Sequence, residues 1–107
     1  MKVIHGRVMH SQGSALAVWR STIGWEAKSA GAAPHNYPVR IKINFLMPRP
    51  KTVKRPYPSV APDLDKLIRA VLDGLTGIAY DDDSQVVEIY ARKVYGSPGA
   101  EITLEII

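Results

Sequence analysis

A mixed α+β fold, one small domain with a single mixed sheet and two helices in the order β-α-β-α-β-β, is predicted by three features of the 107-residue chain. One stretch alternates apolar and polar residues, a second repeats apolar residues at spacings of three and four, and the C-terminal quarter is rich in β-branched and aromatic residues. The length leaves room for one core, so residues 1–107 are read as one domain. A chain this short buries about two-thirds of its unfolded surface, and a two-fold partner covering apolar area would add stability.

The elements follow in order. Met1 to His10 alternates around Gly6 and reads as a short strand or a two-strand ribbon. Ser14 to Ala30 carries Leu16, Trp19, Ile23 and Ala27 at helical spacing, with Ser14 as cap and Gly31 as terminator. Val39 to Leu46 sets Val39, Ile41, Ile43 and Phe45 on one face and Arg40, Lys42 and Asn44 on the other, a half-buried strand. From Met47 to Pro62 the chain holds five prolines and four basic residues, which excludes helix and central strand and predicts an extended, mobile loop over 48–62. Residues 63–77 put Leu64, Leu67, Ile68, Val71, Leu72 and Leu75 on one stripe, with Asp63 as N-cap and Gly77 just past the end. Ile78 to Tyr80 reads as a short strand. Gln85–Tyr95 and Glu101–Ile107 flank a GSPG turn and are expected to pair as an antiparallel hairpin.

Composition narrows the function. No cysteine is present, so there is no disulfide framework or thiolate metal site, and a reducing, cytoplasmic setting fits. The N-terminus lacks the apolar region of a signal peptide, and no run approaches the roughly 20 apolar residues of a membrane span. The net charge of +4 suits a polyanionic partner. Its distribution is more telling: Arg49, Lys51, Lys54 and Arg55 form a basic loop, while Asp81, Asp82 and Asp83 form an acidic knot.

Asp63 and Asp65 stand where the proline-rich loop enters a helix, and Asp82 and Asp83 follow about twenty positions later. If helix and strand pack as neighbours, the two clusters can meet. Carboxylates held that close repel one another, and a divalent cation would keep them ionised. Mg²⁺ prefers such hard oxygen ligands and supports in-line attack of water on a phosphodiester. Taken singly, each Asp is better explained as a cap, a favourable charge at the helix start or a solvated turn; the combination favours the metal. DDDSQVVE lacks the spacing, central glycine and closing glutamate of an EF-hand. His5, His10 and His35 show no ligand spacing. Arg69, one turn after Asp65, either pairs with neighbouring acids or joins Lys93 in holding a phosphate. Lys66 lies on the exposed helix face, in reach of backbone phosphate.

The segment APDLDKLIRAVLDGLTGIAYDDDSQVVEIYARK resembles the signature of RusA-type Holliday junction resolvases, a D-L-D-N helix start followed by a D-D-x-Q-V turn. The resemblance implies Mg²⁺ ligation by Asp63, Asp65 and Asp83, with Asp82 as an auxiliary acid and Mn²⁺ as the substitute ion. The family's helix lysine falls on Arg69 and its asparagine on Lys66, while its strand lysine matches Lys93. It also implies a homodimer that nicks opposed strands of a four-way DNA junction symmetrically, in recombination and repair, with no small-molecule cofactor. The loop residues Arg49, Lys51, Lys54 and Arg55 would contact junction arms. GRVMHSQG followed by LAVWR resembles phage-type and actinobacterial members, with a shortened first strand. The competing readings are a catalytically silent dimer that binds branched DNA, a protein-interaction domain, and a nuclease acting on RNA or flapped DNA.

Overall fold

The computed structural model of the chain describes residues 2–6 and 23–107. In order come strand β1 (Lys2–Gly6), helix α1 (described over 23–29), strand β2 (Val39–Met47), helix α2 (Leu64–Leu75), a 3-10 turn (Asp83–Gln85), and strands β3 (Val86–Tyr95) and β4 (Gly99–Ile106). This is the predicted β-α-β-α-β-β order. The predicted start of α1 at Ser14, with Leu16 and Trp19, falls outside the described residues.

The four strands form one mixed sheet in the order β1-β4-β2-β3. β2 runs parallel to β3 and antiparallel to β4, and β1 runs antiparallel to β4. The alternation read in β2 is realised fully: Val39, Ile41, Ile43, Phe45 and Met47 are all buried. They share one core with Ile23 and Ala27 of α1 and with Leu67, Ala70, Val71 and Leu75 of α2. Both helices therefore cover the same face of the sheet. The other face is polar, and Arg40 there donates to Glu88 and, at 3.0 Å, to Glu105.

Two expectations are corrected. β3 and β4 are consecutive and run in opposite directions, but they do not form a hairpin, because β2 lies between them. Ile43 is flanked by Ala91 on one side and Ile102 on the other. The strand with the most apolar inner face takes the centre, where both edges of its backbone find ladder partners. Residues 96–98 cross over the end of β2 to join strands about 10 Å apart, two strand spacings. The Gly96 N–H donates to the Met47 carbonyl at 2.9 Å. Ile78 to Tyr80 is a turn rather than a strand, with a single bridge between Thr76 and Tyr80. Gly77, at φ +80°, opens that turn. The Tyr80 hydroxyl closes it by donating to the Leu72 carbonyl at 2.8 Å.

The two helices touch at glycines. A Cβ on Gly24 would stand 2.8 Å from Ile78 Cδ1 and 2.9 Å from the Gly74 carbonyl oxygen. The side-chain tip can move, but the backbone oxygen cannot without displacing α2. Gly24→Ala is therefore expected to destabilise the fold by about 1–3 kcal/mol despite alanine's better helix propensity, as measured by urea unfolding.

One consequence of this topology governs the site. β2 and β3 are parallel and joined through α2, so α2 must run back antiparallel to both. Its first turn lies beside the C-terminal ends of β2 and β3, and its last turn beside their N-terminal ends.

Candidate active site at the start of the second helix

Asp63 is the residue that enters α2, as expected, with extended backbone angles (φ −69°, ψ 143°), but its side chain makes no capping hydrogen bond. The helix therefore starts without using this carboxylate, which is exposed and paired only loosely with Lys66, at 3.7 Å. An exposed pair of this kind contributes little stability. Asp65 is exposed in the first turn, where the helix dipole favours negative charge. Arg69 is exposed one turn further on.

The end of β3 completes this region. Lys93 is half-buried on the helix-covered face, and its ammonium donates to the carbonyls of Val60 at 2.7 Å and Pro62 at 2.9 Å. Lys93 thus ties the incoming loop to the sheet immediately before Asp63. The loop itself has neither helix nor strand over 48–62, as its prolines dictate. It is nonetheless held. The Arg49 guanidinium lies 4.5 Å from the centre of the Tyr95 ring and donates to the Arg55 carbonyl at 3.0 Å. Arg55 Nε and the Tyr95 hydroxyl are buried there without a hydrogen-bond partner among the described residues.

Lys93→Met keeps the aliphatic stem and removes both hydrogen bonds. Charge-assisted bonds contribute about 1.5–3 kcal/mol each, so amide exchange in residues 57–61 is expected to quicken by about tenfold or more. The global unfolding midpoint should change much less.

The acidic knot lies elsewhere. Asp81 N–H donates to the His35 carbonyl at 2.9 Å. Gln85 holds the turn in place, its amide donating to the carbonyls of His35 at 2.7 Å and Tyr37 at 2.9 Å. Asp82 caps the 3-10 turn: its carboxylate accepts from Ser84 N–H at 3.0 Å, and Gln85 Oε1 accepts from Asp82 N–H at 2.8 Å. Asp83 is exposed beside it, near enough to Tyr80 for its charge to help burial in pushing that phenol's pKa up. Tyr80 bonds the last turn of α2, so Asp82 and Asp83 sit at the C-terminal end of the helix.

The two acidic clusters are packed against the same helix, but at opposite ends of it. Twelve residues of α2 separate them, about 18 Å at 1.5 Å per residue. Among the described residues no group of three or more His, Asp or Glu side chains is placed to hold one metal ion. The structure brings Asp63 and Asp65 together with Lys66, Lys93 and the basic loop; it does not bring Asp82 or Asp83 to them within one chain. The physical reason is the crossover itself, which sends the helix back along the strands before β3 starts.

Gln85 is the residue that sequence reasoning left without a role. Its signal was the Q of the D-D-x-Q-V pattern, three positions after Asp82, the spacing of a capping box. Ser84, through its side-chain hydroxyl first and its N–H second, also holds the Asp82 carboxyl below the usual aspartate range. Because the folded value is depressed, this contact is fully present above the unfolded value of about 3.9 and is lost as pH falls through the lower folded value. Amide exchange at Ser84 and Gln85 is expected to quicken in that acid window and to stay level from pH 5 to 7.

A family profile described as Endodeoxyribonuclease RusA matches residues 5–105. An uncharacterised protein of Bacillus subtilis strain 168, YqaN, is 30% identical over 80 residues, 63% of this chain and 56% of the relative. The match thus spans little more than half the length of that relative. Among the described residues no helix is long and apolar enough to cross a membrane.

Proposed function

The chain belongs to the RusA endodeoxyribonuclease family, and on that premise we propose that it is a Mg²⁺-dependent endonuclease that resolves four-way DNA junctions by paired nicks. The observation that carries the reading is the first turn of α2. There a carboxylate at a helix start is left uncapped, next to a second carboxylate and a set of ordered basic groups. A solvated helix end is the plain structural alternative; membership of a nuclease family supports reading this as the reacting end.

Asp63 and Asp65 fit a hard, oxygen-preferring ion, since Mg²⁺ is commonly held by one or two carboxylates together with substrate phosphate. When bound, it would supply an activated water and neutralise charge on the departing oxygen. The chain's own groups do the rest. Arg69, on the same helix face, carries a planar guanidinium suited to two oxygens of a phosphate. Lys93 keeps Asp63 in place by fixing the backbone before it. Arg49, Arg55, Lys51, Lys54 and Lys66 supply the sequence-independent attraction to DNA backbone. The buried Arg55 Nε, without a hydrogen-bond partner among the described residues, fits a surface prepared for an anion.

The chain would act in recombination and repair in the cytoplasm, as a homodimer, with Mn²⁺ able to replace Mg²⁺. A second reading is a silent binder of branched DNA, and the separation of Asp83 from Asp63 and Asp65 within one chain favours it. Two measurements decide. Junction affinity that falls steeply between 50 and 200 mM salt, on the order of 10³-fold for six or more phosphate contacts, identifies a DNA-binding protein. Divalent-dependent strand scission then separates the nuclease from the binder.

A further inference from the structure

The alternation that buries one face of the sheet also builds the other, and no described helix covers that second face. In register, β2 and β3 set Arg40 beside Glu88, Lys42 beside Tyr90 and Asn44 beside Arg92 on it. β4 adds Glu105 next to Arg40 and Glu101 next to Asn44. Arg40 takes up two of these three carboxylates, donating to Glu88 and, at 3.0 Å, to Glu105.

Two cations of the face are left available. Lys42 reaches Glu105 only at 3.8 Å and its side chain is 55% exposed, so an oxygen from another molecule can replace that contact at little cost. Arg92 is exposed and pairs with no carboxylate among the described residues. Its Nε donates to the Asn44 side-chain oxygen at 3.0 Å, which fixes the guanidinium plane and leaves the terminal N–H groups for an outside acceptor. Between these cations stands Tyr90, 59% exposed. Lys42 lies across the ladder from it, about 4.8 Å away along the hydrogen bonds, and Arg92 two residues along the strand, at about 6.8 Å.

An aromatic ring left in water on an open sheet, flanked by two available cations, matches a nucleotide strand: the ring can stack a base and the cations can hold its phosphates. In a duplex each base face is already covered by its neighbours, so the ring can serve only an unpaired base. Chain direction links this face to the helix start. Lys93 follows Arg92 and points to the helix-covered side, where it ties the loop before Asp63. Because β3 is an outer strand, a DNA strand leaving the start of α2 can pass round its edge to the uncovered face.

We propose that the uncovered sheet face is a platform for unpaired DNA, with one base stacked on Tyr90 and its flanking phosphates held by Lys42 and Arg92. The inference rests on the branched-DNA reading for the identity of the polyanion, and names the part of that substrate this face takes: the single-stranded segment at a branch.

The test measures binding of a labelled 12-nucleotide single strand, and of the blunt duplex of the same sequence, by fluorescence anisotropy in EDTA. The full chain is compared with Tyr90→Ala, Tyr90→Phe and Arg92→Gln, each checked for folding by circular dichroism. Tyr90→Ala should weaken single-strand binding by about 5- to 150-fold, the range for losing one stacked base, and change duplex binding by less than about twofold. Tyr90→Phe keeps the ring and should bind the single strand as wild type does. Arg92→Gln should lower the salt slope of single-strand binding by about 0.7, the value of one phosphate contact. Absence of single-strand binding by wild type overturns the proposal, as does equal weakening of strand and duplex by Tyr90→Ala. So does a Tyr90→Ala protein that changes its oligomeric state while keeping wild-type affinity for the single strand, which would make this face an interface between copies of the chain. The two readings fail separately. Ring-dependent binding of the single strand without scission of any junction keeps the platform and removes the nuclease; junction scission with single-strand affinity unchanged by Tyr90→Ala keeps the nuclease and removes the platform.

Discussion

Asp65→Asn is expected to slow cleavage of a four-way junction by at least about a hundredfold, more than the 10–100-fold typical of losing a metal ligand's outer partner, while leaving junction affinity within about twofold. The substitution keeps the side-chain shape and removes one negative charge. Asp65 is exposed in the first turn of α2 and makes no buried contact, so the fold loses only its interaction with the helix dipole, about 0.3–1 kcal/mol. That cost lowers the melting temperature by no more than about 8 °C. Loss of binding in parallel with loss of cutting would mean that the residue supports the DNA surface rather than the chemistry.

The largest effect on stability is expected from Phe45→Ala. Phe45 is wholly buried at the centre of the sheet, between Lys93 and Ala100 in register. Removing its ring deletes core contacts from both helices' side of the sheet, at a cost of about 3–5 kcal/mol. A domain of this size has roughly 5–15 kcal/mol in total. The melting temperature should fall by about 12–40 °C, and the variant should be partly unfolded at 37 °C. Phe45 also borders Lys93 on the face where the loop is tied, so the folded fraction should show weakened protection of residues 57–61. A fall of less than 5 °C by differential scanning calorimetry would show that β2 is not the keystone of the core.

Much of this architecture was legible in the residues. β2 and α2 announce themselves because one period matches the strand and the other the helix, and every residue placed on their inner faces by that rule is buried or partly buried. Gly77 and Asp63 mark the helix ends as expected. The pairing of β3 was not legible. A local turn such as GSPG argues for a hairpin, whereas the ladder is decided by which strand must bury both edges, and that competition is between segments fifty residues apart. The same non-local choice determined the site. Reading Asp63, Asp65 and Asp83 as a set requires knowing which way α2 runs relative to β3, and periodicity does not carry direction. Lys93 was singled out for phosphate; its contacts with the Val60 and Pro62 carbonyls show it also builds the loop that presents Asp63.

We propose above that this chain is a divalent-dependent nuclease for branched DNA. That reading is tested most directly by incubating the wild-type protein with a synthetic four-way junction, each strand labelled in turn, with Mg²⁺ or with EDTA, beside a linear duplex of the same arms. Paired nicks in opposed strands of the junction, at symmetric positions, are expected with Mg²⁺ only, with no scission of the duplex. Tight binding to the junction without scission under either Mg²⁺ or Mn²⁺ would contradict it and leave a branched-DNA binder in its place.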